Sequence, residues 1–117
     1  MKTTEAVKVL AALAQSSRLA AFRLLVEAGP EGMAAGLIAE RLGLPAPTAS
    51  FHLGQLASTG LISSRTEGRF VIYAADFERM QTLIGFLTDK CCEGGACAVT
   101  PVAAAAFNPR SKAKSTS

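Results

Sequence analysis

Three cysteines near the C-terminus, Cys91, Cys92 and Cys97, are the residues of this 117-residue chain whose types and spacing best suit chemistry. They number three, fall within seven residues and cannot form the paired disulfide frame of a small secreted protein, so they read as free thiols. Adjacent helical side chains point roughly 100° apart, so Cys91 and Cys92 cannot both chelate one ion from a rigid helix. Gly94-Gly95 supplies the freedom to bring Cys97 back over a frayed helix end. The charge of Lys90 favours the thiolate form. Three soft sulfurs with no fourth donor suit a trivalent ion with a lone pair, As(III) or Sb(III), which is satisfied by pyramidal three-coordination.

Structural zinc takes four ligands, and the single histidine, His52, lies far away in sequence; zinc or cadmium would need Glu93, Asp89 or water. Sensing of another thiophilic metal (Cd, Zn, Pb), thiol oxidation and an incidental cluster stay open as alternatives. A thiol-dependent reductase is disfavoured. No cysteine has an arginine six residues after it, there is no Cys-X-X-Cys, and no base stands beside a nucleophile in a recognisable motif.

The elements that must position this cluster follow from periodicity. Val7, Leu10, Ala11 and Ala14 define a first helix over Glu5–Ala14. Ser16 or Ser17 is expected to cap a second helix with Leu19, Phe22, Leu25 and Val26 on its apolar face, ended by Gly29-Pro30. A short helix over Gly36–Leu42 buries Leu37, Ile38 and Leu42, and Gly43-Leu44-Pro45 breaks it. Pro47 fits the first turn of a fourth helix, which runs to about Ser58 with Ala49, Leu53 and Leu56 inward.

The period then changes to two. Leu61–Arg65 and Phe70–Ala74 flank Thr66-Glu67-Gly68-Arg69 as a hairpin. Asp76 caps a last helix striped with Phe77, Met80, Leu83, Ile84 and Leu87. The fold class is mainly α with a small β-hairpin, a winged helix-turn-helix. Residues 1–97 form its domain with the thiol site, and residues 98–117 form an Ala/Ser/Lys tail.

The net charge of +3 is no footprint of nucleic acid, because Arg110, Lys112 and Lys114 carry all of it and the preceding residues balance. Local placement must carry the argument instead. Thr48, Ser50, His52 and Gln55 occupy the exposed side of the fourth helix and suit base edges or phosphates. Phe51 either meets a thymine methyl or packs inward. Arg65 and Arg69 flank the hairpin turn, where a cation meets a sugar-phosphate backbone. No apolar run reaches the roughly eighteen residues of a membrane span, and the N-terminus does not read as a secretory signal, so a cytoplasmic location is expected and no membrane partner is.

The run Ala39–Leu53, the segment Leu56–Leu61 ending in Thr59-Gly60-Leu61-Ile62, and Glu67-Gly68-Arg69 resemble the ArsR/SmtB family of metal-responsive bacterial repressors, over residues 5–92. The resemblance implies a homodimer built on the first and last helices, with Val7, Leu10, Met80, Leu83, Ile84 and Leu87 at its interface. It implies two recognition helices in successive major grooves of operator DNA, contacts by Thr48, Ser50, His52 and Gln55, and release on inducer binding, with no cofactor needed to bind DNA. Pro45 and Pro47 depart from the serine or glutamine common at the helix start. The Cys-X-Cys common in the family's third helix has no counterpart in Met33–Leu42. A vicinal pair plus one downstream cysteine is similar to a subset of arsenic-responsive repressors.

Overall fold

The computed structural model describes residues 1–89, and the compact unit spans Met1–Leu87. Cys91, Cys92 and Cys97, and the expected tail from residue 98, lie outside the described residues. The element order is α1 (Thr3–Leu13), α2 (Ser16–Ala28), β1 (Met33–Ala34), α3 (Ala35–Leu42), α4 (Ala46–Ser58), β2 (Ile62–Glu67), β3 (Phe70–Ala75) and α5 (Phe77–Leu87). Among the described residues no single helix is long and apolar enough to cross a membrane; α1 and α2 reach that length only across a 97° bend.

The core is built where the helices meet the base of the hairpin. Val9, Leu25, Ile38, Leu53, Leu56 and Leu61 are its largest fully enclosed side chains. The inward face of α1 consists of Ala6, Val9 and Ala12 rather than the expected Val7, Leu10, Ala11 and Ala14. Small side chains bring α1 close to its neighbours, and the larger Val7 and Leu10 stay 58% and 40% exposed. Leu19 and Leu37, expected to be inward, are likewise exposed, because Ala21 and Ala39 take the buried positions beside Phe22 and Ile38.

The α2 cap also differs from expectation. Gln15, not a serine, is the N-cap, and its Oε1 accepts the Arg18 amide at 2.9 Å. A long amide reaches the unpaired first-turn N–H as a shorter hydroxyl would. At the other end Gly29, at φ 79°, donates to the carbonyls of Leu25 and Val26 and stops the helix.

The sheet has three antiparallel strands in the order β1-β3-β2. The two-residue β1 was not expected, since a pair of residues carries no alternation. It pairs Met33 with Tyr73 and Ala34 with Ile72, and Gly32 permits the approach: a Cβ there would collide with the Tyr73 carbonyl oxygen. The hairpin is tighter than its sequence implied, with Glu67 opposite Phe70 and only Gly68-Arg69 between them. Gly68, at φ 61°, takes the positive dihedral that such two-residue turns demand.

Asp76 caps α5 as expected, its Oδ1 accepting the Arg79 amide at 2.9 Å. Arg79 then ties three helices together. Its Nε donates to the Thr59 carbonyl at the end of α4 (3.2 Å), and its Nη2 lies 3.9 Å from Glu5 on α1. The Lys2 amide donates to Glu5 Oε1 at 2.9 Å, and this bond, assisted by the Arg79 charge, holds the Glu5 carboxyl below the ordinary glutamate range.

Candidate nucleic-acid interface

The reading unit is α3, a sharp turn and α4. Ile38 and Ala39 bury one side of α3, and Gly43 ends it in the left-handed region at φ 68°. The Leu44 amide closes the turn on the Ala39 carbonyl at 3.0 Å. Pro45 precedes α4 in extended conformation and Pro47 sits in its first turn, where a missing amide proton costs nothing.

Ala49, Leu53 and Leu56 anchor α4 in the core. At about 100° per residue, the opposite face is then led by Pro47, Phe51, Gly54 and Ser58. Thr48, His52 and Gln55 line one flank, and Ser50 lies on the other. Thr48, Ser50 and Gln55 are exposed. The Phe51 ring is 61% exposed, so it stands on the outward crest and does not pack inward. His52 is half-buried, in edge contact with Phe51 (centroids 5.6 Å apart, planes at 65°) and 3.4 Å from an Arg18 guanidinium nitrogen. Gln55 also lines a groove of about 650 Å³ between α1 and α4, with Lys8, Arg18 and Arg79 on its walls.

The two wing arginines differ. Arg65 Nε meets Glu67 Oε2 at 2.6 Å, and its Nη2 donates to the Glu31 carbonyl at 2.8 Å, so this side chain fastens β2 to the loop before β1. Arg69 sits in the exposed turn and forms no ion pair among the described residues. Beside it the Phe70 ring is 63% exposed. Sequence reasoning passed over Phe70 as a strand residue, although an aromatic next to a turn Gly-Arg is a visible signal.

The helix-turn-helix domain profile matches residues 13–65. An HTH-type transcriptional regulator of Methanocaldococcus jannaschii is 31% identical over 83 residues, 71% of this chain and 91% of that protein. The homodimeric winged helix-turn-helix DNA-binding domain of Mb0332 from Mycobacterium bovis, a possible ArsR-family regulator, superposes with a TM-score of 0.60 at 29% identity, over 80% of this chain and 87% of that one. The chain belongs to the ArsR family of winged helix-turn-helix, DNA-binding transcriptional regulators. The chain is also similar to the nodulation protein NolR of Rhizobium meliloti, at 31% identity over 80 residues, 68% of this chain; the chain spans 63% of NolR's length.

Within this ArsR-family fold, the residues expected at a subunit interface divide in two. Leu83 is buried in the chain's own core and Met80 packs against that core, so Leu83 is withdrawn from the interface set. The α5 stripe turns inward there because Leu83 joins the same core cluster as Val9 of α1 and Leu53 and Leu56 of α4. Val7, Leu10 and Leu87 remain exposed, the last at 55%, and Ile84 is half-buried. Among the described residues no three His, Cys, Asp or Glu side chains gather as a metal shell.

Proposed function

We propose that the chain acts in the cytoplasm as a homodimeric repressor that binds double-stranded operator DNA and lets go when Cys91, Cys92 and Cys97 take up As(III), with Sb(III) as the second candidate. The observation that carries this reading is the thiol trio itself, which is separated from the end of α5 by three residues in sequence and supplies three soft donors and no fourth. Thr48, Ser50, Phe51, His52 and Gln55 on α4, with Arg69 on the wing, are its DNA contacts, and two such units on a two-fold axis would address half-sites about 34 Å apart. Val7, Leu10 and Leu87 are apolar groups that a second copy can cover, and the homodimeric Mb0332 domain supports that arrangement.

Arg79 gives a route from inducer to DNA. It belongs to α5, and its bond to the Thr59 carbonyl holds the residue that caps the end of α4. Ion capture just beyond α5 that shifts this helix would drag the end of the reading helix with it. A coupling of about 1–3 kcal/mol would loosen the operator roughly 5- to 150-fold, and DNA would weaken ion binding by the same factor.

The test is fluorescence anisotropy on an operator fragment selected in vitro with the protein itself, with and without arsenite, for the wild type and for Cys91→Ser, Cys92→Ser, Cys97→Ser and the triple variant. Arsenite should release the wild type and leave the triple variant bound. Undiminished release of the triple variant would end the thiol reading while leaving DNA binding intact.

A further inference from the structure

We infer that Arg18 is a positioning residue for DNA reading, which holds the His52 imidazole in the tautomer whose outer nitrogen donates a hydrogen bond. The inference rests on α4 being the DNA-reading helix. Arg18 lies on α2, outside the helix-turn-helix proper, and is fixed from two sides before it reaches His52. Its backbone amide donates to Gln15 Oε1 at 2.9 Å, and its Nε donates to the Ala12 carbonyl at 2.7 Å. The remaining arm brings Nη1 to 3.4 Å from His52 Nδ1.

The chemistry of the pair sets the proton. A guanidinium has donors only and stays charged, so the nitrogen facing it must accept. With Nδ1 as acceptor, the ring's N–H sits on Nε2. Phe51 adds an edge contact with the ring, which restrains its rotation further. The outcome is a fixed Nε2–H donor on the Thr48–Gln55 flank of α4, matched to an acceptor on DNA: a purine N7, a guanine O6 or a phosphate oxygen. The same arginine links the last turn of α1 to the middle of α4, and its own contact with His52 spans thirty-four residues of sequence.

Because the chain has a single histidine, its tautomer can be read without assignment, by a two-bond ¹⁵N–¹H spectrum of the full chain labelled at histidine. Nε2 should carry the proton in the wild type, and Arg18→Met should produce a mixture of tautomers. A ring protonated at Nδ1 in the wild type would overturn the inference without any variant having to fold. The second arm is a double-mutant cycle on operator affinity. Arg18→Met should weaken binding about 3- to 10-fold in the wild-type background and less than about 2-fold in His52→Ala, since the arginine acts through the ring. His52→Gln, which keeps an N–H donor at the same reach, should recover most of the affinity lost in His52→Ala. Equal losses in both backgrounds would mean that Arg18 serves only the fold or the overall charge, and would refute the inference with DNA binding untouched. A wild type that binds no selected fragment would remove the premise as well.

Discussion

The unequal wing arginines make a quantitative prediction about salt. Each phosphate neutralised by a protein cation adds a slope of about −0.9 to the dependence of log K on log salt. Arg69 stands in the exposed turn with no ion pair among the described residues, so its charge is available to DNA. Arg65 is already matched by Glu67 at 2.6 Å and anchored on the Glu31 carbonyl at 2.8 Å, so the pair brings no net charge to the backbone. Arg69→Ala should therefore flatten the slope by about 0.9 per subunit, or about 1.8 for a two-subunit complex. Between 50 and 200 mM salt, the wild type should then lose roughly 12-fold more affinity than the Arg69→Ala dimer.

The charge-neutral double variant Arg65→Ala/Glu67→Ala is the control. Anisotropy titrations at four salt concentrations should give it the wild-type slope, with a uniformly lower affinity because the wing has lost its tie to the loop before β1. A slope flattened as far as that of Arg69→Ala would show that Arg65 leaves Glu67 for a phosphate, and the distinction between the two arginines would fail.

Three further outcomes test other joints of the molecule. Gly32→Ala should cost about 1–3 kcal/mol in denaturant unfolding, since alanine at φ 75° is strained and its Cβ collides with the Tyr73 carbonyl; unchanged stability would mean that β1 is not held against β3. Val7→Asp with Leu10→Asp should convert a dimer to monomer in sedimentation while the unfolding midpoint extrapolated to dilute protein barely moves, because both side chains lie outside the chain's own core. Glu5 has a folded-state pKa below its unfolded value, so its contribution is present above the unfolded pKa and is lost as pH falls through the folded one. Glu5→Gln should therefore lower stability slightly near neutrality and make acid unfolding less steep; an identical acid profile would show that the Lys2 and Arg79 contacts are absent in solution.

How much the sequence disclosed depended on the range of the interaction. Ala49, Leu53 and Leu56 repeat at helical spacing, Gly43 interrupts them where a left-handed residue is needed, and Asp76 precedes a striped helix, so α3, α4, the hairpin and α5 were all legible. Features made by contacts distant in sequence were not. β1 exists because β3 offers an edge, and Arg65 is engaged because the Glu31 carbonyl lies within reach of it. The inward face of α1 was misjudged for a related reason. Counting bulk favours Val7 and Leu10, whereas close helix packing selects Ala6 and Ala12 and leaves the larger residues outside. Leu83 shows the converse, a stripe residue drawn into its own core. For the thiol trio the chemistry came from residue type and spacing, and its surroundings lie outside the described residues.

The accounting of charge points to what kind of DNA binder this is. The chain is neutral up to its last few residues, and the arginines Arg18, Arg65 and Arg79 are each engaged in joining elements of the fold. Little net positive charge is left ahead of the last residues to draw in a polyanion, so binding to arbitrary DNA should be weak and only mildly salt-dependent. On the proposed function, affinity for an operator would come from fitted contacts along α4, where a bare phenyl crest and short hydroxyls stand exposed beside a half-buried imidazole. Fitted contacts fail together when helix spacing changes, whereas diffuse charge attraction does not. A reading surface of this composition would for that reason suit the proposed switching by a small movement of α5, and, on that proposal, adding two lysines to the exposed face of the wing should raise operator affinity while blunting release by arsenite.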